Sequence, residues 1–123
     1  MNRYDPELAP NAEEWLALGE QARISLAEQF HRRARIKLPN VRIHATFHAI
    51  IENQIAEGHE PVVRALARLI STGLSRHDAV HAIGSVLAEH VYDLLKDKPT
   101  SGDPMASYDA AIERLTADSW RRG

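Results

Sequence analysis

The chain contains no cysteine, which excludes disulfides, thiolate metal sites and a cysteine nucleophile. Charge of neither sign dominates: 15 Lys and Arg stand against 17 Asp and Glu, a net charge of -2. That balance gives no general pull toward nucleic acid or an anionic membrane. No window approaches the uninterrupted apolar length needed to span a bilayer. The opening Met1-Asn2-Arg3-Tyr4-Asp5-Pro6 lacks the apolar stretch of a signal peptide. The expected location is the cytoplasm of a bacterium. Also missing are an alternating apolar/polar run long enough for a strand, an internal repeat, a glycine-rich loop and a G-x-S-x-G elbow. Without the last two, no serine takes priority as a nucleophile.

What remains is 123 residues with 44% apolar and 26% charged side chains, enough for one domain with its own core. The expected architecture is an all-α, compact single-domain bundle of five or six helices over residues 1–123. Residues 1–10, with Pro6 and Pro10, read as an extended lead-in. Asn11 caps a short helix through Leu18, with Glu13 and Glu14 at its positive end. A second helix runs from about Glu20 to Ile36 on the stripe Ile24, Ala27, Phe30 and Ala34. The third runs from about Val41 to Glu57, capped by Asn40 and stopped by Gly58, on Ile43, Phe47, Ile50, Ile51 and Ile55. Pro61 begins a fourth, to about Thr72, before Gly73. Ser75-Arg76-His77-Asp78 is a capping-box pattern. It opens the longest helix, to about Lys96, carrying Val80, Ile83, Leu87, Val91, Leu94 and Leu95. A loop spans 97–103, and Asp103-Pro104 begins a last helix to about Asp118 on Met105, Tyr108, Ile112 and Leu115.

Four of the seven histidines form two H-x-x-x-H pairs, His44/His48 and His77/His81. Residues four apart on a helix share a face one turn apart, which suits chelation of one ion. About 0.4 such pairs are expected by chance at this composition. Both pairs fall in the first two turns of long helices, on the edges of their apolar faces. If the third and fifth helices are neighbours, four imidazoles converge on a divalent metal such as zinc. Glu52, one turn after His48, and Asp78 are candidate ligands or outer-sphere partners. The competing account is that each His caps or hydrogen-bonds at the rim of the core.

His77-Asp78-Ala79-Val80-His81 also has the spacing of the H-E-x-x-H zinc peptidases, with Asp for the general-base Glu. Two objections stand against that reading. Such enzymes set the helix against a sheet, and Asp is one methylene too short to reach a metal-bound water directly. The expectation is a binding protein rather than a hydrolase. His31, His59 and His90 weigh less. Glu28-x-x-His31 fits one half of a di-iron motif, and its matching half is missing. The run Arg32, Arg33, Arg35, Lys37 and Arg42 has no interleaved aromatics and reads as a solvated helix end, not a nucleic-acid patch.

The segments His44-x-x-x-His48-x-x-x-Glu52-Asn53-Gln54 and Arg76-His77-Asp78-x-x-His81-Ala82-Ile83-Gly84-Ser85-Val86-Leu87 resemble a small family of bacterial proteins built on a helical domain of unknown function. The resemblance covers roughly residues 38–96 and implies an all-helical domain. It marks His44, His48, Glu52, His77 and His81 as recurrent polar positions, and often has Glu where this chain has Asp78. It implies no activity, cofactor or substrate. The alternative function is a protein-interaction or oligomerisation module with structural histidines. Gly84 and Ala88, beside Val91 and Leu95, suit a close helix contact, either inside the bundle or across a two-fold axis, and helices this apolar in a short chain leave a stripe for a homodimer to cover.

Overall fold

A computed structural model describes residues 1–96 and 103–122. Among them every regular element is a helix: α1 (Ala12–Ala17), α2 (Glu20–Arg33), α3 (Val41–Ala56), α4 (Glu60–Ser71), α5 (Arg76–Leu95), α6 (Pro104–Arg114) and α7 (Ala117–Arg122). The all-α expectation holds, with seven helices where five or six were expected. None is long and apolar enough to cross a membrane. Apart from Asp103, the loop expected over 97–103 lies outside the described residues. The chain divides into two compact units, Met1–His59 and Glu60–Gly123.

The start signals act as read. Asn11, Asn40, Ser75 and Asp103 each accept a backbone N–H from the first turn of α1, α3, α5 and α6 respectively. Those bonds satisfy donors that the helix itself leaves without a carbonyl. The stops at Gly58 (φ 73°) and Gly73 (φ 109°) are Schellman turns. His59 N–H donates to the Gln54 carbonyl at 2.9 Å, and Leu74 N–H to the Leu69 carbonyl at 3.1 Å.

Two helix ends differ from expectation, each for a local reason. α2 stops at Arg33, short of Ile36, because Arg35 takes the left-handed conformation (φ 57°). Its N–H bonds the Arg32 carbonyl at 3.1 Å, and Ile36 N–H bonds the His31 carbonyl at 3.0 Å. This is the same Schellman closure without a glycine. The last helix breaks at Leu115 (ψ 130°). Thr116 and Ser119 exchange reciprocal bonds of 3.0 Å, Ser119 N–H to Thr116 Oγ1 and Thr116 N–H to Ser119 Oγ, a capping box that starts α7.

In the first unit α3 packs against both α2 and α1, around Tyr4, Trp15, Ile24, Leu26, Ala27, Ala45 and Ala49. The lead-in is therefore part of the core, with Tyr4 only 1% exposed. The buried face of α3 is Ala45, His48, Ala49, Ile51 and Glu52, while Ile43 is exposed. The sequence stripe of large aliphatics placed that face too far round the helix. Two alanines let α2 approach closely, and two polar residues beside them find partners inside.

In the second unit α4, α5 and α6 pack pairwise and α7 lies on α5. Val62, Leu69, Val80, Ile83, Tyr108 and Ile112 are buried there. The Arg68 guanidinium donates to the Ile112 and Leu115 carbonyls at 3.0 and 2.9 Å, satisfying the carbonyl end of α6.

Candidate metal centre

The site is built on the α2–α3 interface of the first unit. His44 and His48, one turn apart on α3, have ring centroids 5.5 Å apart. α2 adds His31, whose ring lies 4.6 Å from that of His44 and 5.0 Å from that of His48, edge-on to both. One nitrogen from each of the three lies within 4.8 Å of the others. Nitrogens about 2.0–2.1 Å from a tetrahedral zinc are about 3.3 Å from one another. Side-chain adjustments of roughly 1 Å or a little more would close that gap.

His31 is the residue that sequence reasoning undervalued. It is fully buried, and its Nδ1 lies 2.7 Å from the Ala27 carbonyl oxygen. A carbonyl only accepts, so Nδ1 carries the proton and Nε2 carries the lone pair. Burial disfavours the imidazolium and pushes the His31 pKa below the ordinary histidine value, against the opposing pull of that carbonyl. Neutral imidazole is the form that ligates a metal.

His48 is 3% exposed and Glu52 1% exposed. Both meet the Tyr4 hydroxyl, which lies 3.0 Å from His48 Nδ1 and donates to Glu52 Oε2. Glu52 is thus joined to His48 through a tyrosine from the lead-in. Glu28 is not directed at the site. It pairs with Arg32 at 2.7 Å and Arg42 at 2.9 Å, and its hydrogen bonds to Arg32 and then Arg42 hold its carboxyl below the usual range. Both of its carboxylate oxygens are bonded to arginines.

The second pair lies in the second unit. His77 and His81 are half-buried on α5, their ring centroids 4.4 Å apart. Asp78 is exposed in the first turn, where negative charge suits the helix dipole. His90 lies further along α5, its ring 5.6 Å from that of Tyr108. Each expected pair therefore exists as a pair, and the first gains a third imidazole from α2.

Comparison of the chain with protein families, with curated proteins and with solved structures gives no match.

Proposed function

We propose that this is a divalent-metal-binding helical protein whose ion is held by the imidazoles of His31, His44 and His48. The observation that carries the reading is the approach of three ligand nitrogens to within 4.8 Å of one another on two packed helices. Supporting it is the burial that keeps His31 neutral. Imidazole as the ligand type suits zinc, copper, iron or nickel better than magnesium or calcium. A rigid two-helix scaffold holds the ligands in place before the ion arrives, which favours affinity over a flexible chelate.

The test is elemental analysis of protein purified without an affinity tag, followed by zinc titration of the metal-free form. One ion per chain is expected, lost in His31→Ala and His48→Ala with helical content retained. His90→Ala should bind as the parent does. Absence of any stoichiometric ion in the parent would overturn the reading. The sequence expectation that His77 and His81 share the same ion enters that titration as a separate question. It requires His81→Ala to weaken uptake as strongly as His44→Ala.

A second reading, an interaction or oligomerisation module with structural histidines, is favoured by one feature. His31 and His48 both spend Nδ1 on protein partners, the Ala27 carbonyl and the Tyr4 hydroxyl. Under this reading the histidine variants lose stability and no ion is found. A homodimer is part of it, with Tyr92, Leu94 and Leu95 exposed at the end of α5 as the candidate contact. Sedimentation showing only monomer at high micromolar concentration would remove the dimer.

A further inference from the structure

We infer that Tyr4 and Glu52 are positioning residues for the histidine site, holding His48 with its proton on Nδ1 and its lone pair on Nε2 as the ligand atom. A tyrosine hydroxyl has one proton to give and lone pairs to receive. The Tyr4 hydroxyl donates that proton to Glu52 Oε2. The Tyr4 oxygen then accepts at its 3.0 Å contact, and His48 Nδ1 must be the donor. His31 reaches the same tautomer by a different route, through the Ala27 carbonyl. Two imidazoles from two helices thus present the same nitrogen.

The arrangement also explains why an acid is buried on α3. A carboxylate removed from water is costly unless it is hydrogen-bonded. The Tyr4 hydroxyl supplies that hydrogen bond and links the carboxylate to the imidazole. Outer partners of this kind fix ring orientation and make the ligand more basic, and losing one typically costs about 10–100-fold in metal affinity. Here the partner comes from the lead-in, whose Tyr4 is thereby part of the site. The Tyr4 ring is separately held by Trp15 and Phe30, with centroids at 5.4 and 6.4 Å. Removal of the hydroxyl alone leaves that packing in place.

The proposal rests on the metal reading for its effect on affinity, whereas its tautomer claim stands on the metal-free protein. The experiment therefore has two arms. Long-range proton–nitrogen correlation on histidine-labelled, metal-free protein should give His48 protonated at Nδ1, with the signals assigned by their loss in His48→Ala. In Tyr4→Phe that preference should be lost. Zinc titration of the same variant should show affinity lowered about 10–100-fold with unchanged stoichiometry and helical content. Glu52→Gln retains an acceptor without the charge and should fall between parent and Tyr4→Phe. It carries the test if Tyr4→Phe does not fold. His48 protonated at Nε2 in the parent would overturn the inference. So would zinc affinity in Tyr4→Phe within about twofold of the parent, a result that leaves the metal site itself standing. A tautomer shift with no zinc bound by any form would uphold the relay and remove the metal reading.

Discussion

Asn53 offers the most direct test of how the first unit is held together. Its Oδ1 accepts from the Trp15 indole N–H at 2.8 Å and from Arg23 Nη1 at 3.1 Å. Both partners are donors only, so the atom facing them must be the amide oxygen. Arg23 also donates from Nε and Nη2 to the Leu18 and Leu16 carbonyls, at 3.0 and 2.8 Å. One α3 side chain thereby ties α1 to the start of α2. Trp15 is fully buried, so Asn53→Ala strands its indole N–H away from water. A buried donor left without its acceptor costs about 1–3 kcal/mol. Arg23 can recover water and adds little, which places the expected loss near 2 kcal/mol. With a urea slope of about 1–3 kcal/mol per molar, the midpoint should fall by roughly 1 M. The assay is urea unfolding followed by Trp15 fluorescence in a Trp120→Phe background, with far-UV circular dichroism alongside. Two controls separate causes. Asn53→Asp keeps an acceptor beside Arg23 and should lose under about 0.5 kcal/mol, while Asn53→Leu fills the space without an acceptor and should be as damaging as Ala. A benign Leu, or an Asp as damaging as Ala, would refute the hydrogen-bond account.

Arg35→Gly should stabilise the protein by about 0.5–1 kcal/mol, because a non-glycine residue at φ 57° costs about 1–2 kcal/mol and glycine returns part of that as entropy; thermal melting checks it, and a lowered midpoint would contradict the Schellman reading of α2. Burial holds the His31 pKa below its unfolded value, so below about pH 6.5 the unfolded chain binds more protons. Stability of the metal-free protein should therefore be lost as pH falls below that value, and His31→Gln should flatten the dependence. Thr116→Ala removes the reciprocal cap of α7 and should cost about 1 kcal/mol by chemical unfolding.

The boundaries that could be read in advance were those whose chemistry resides in one residue. Asn11, Asn40, Ser75 and Asp103 start helices because an oxygen lies at the right reach, and Gly58 and Gly73 end them because they lack a Cβ. Arg35 ends α2 against its own preference, so its residue type gave no signal of the stop. The Leu115 break was hidden similarly. Leu115 continues the apolar stripe of Tyr108 and Ile112, and only the pairing of Thr116 with Ser119 marks a new start. A T-x-x-S spelling is weaker than one with Glu, yet it was visible at residues 116–119.

The site was half legible, and the missing half shows where periodicity misleads. The stripe read for α2, Ile24, Ala27, Phe30 and Ala34, took apolar side chains only and turned toward Phe30 and Ala34. At 100° per residue, His31 falls about 20° from Ile24 and about 40° from Ala27, both inside the same face. Ile24, Ala27 and His31 are all buried, and Ala34 is exposed. The same bias misplaced the face of α3, where Ala45, His48, Ala49 and Glu52 keep i, i+3, i+4, i+7 spacing without a large aliphatic among them. Hydrophobicity weights side chains by transfer energy, but close helix contact rewards small ones and tolerates polar ones that find partners. A histidine or glutamate on a line of alanines is therefore stronger evidence of an internal polar site than one beside isoleucines. Tyr4 lay beyond any such rule. No periodicity links an irregular lead-in to a helix more than forty residues later, and only the fold brings its hydroxyl to His48 and Glu52. If Tyr4→Phe changes the His48 tautomer, an irregular segment will have set the chemistry of a helical site. That contribution could not have been recovered from helix pattern alone.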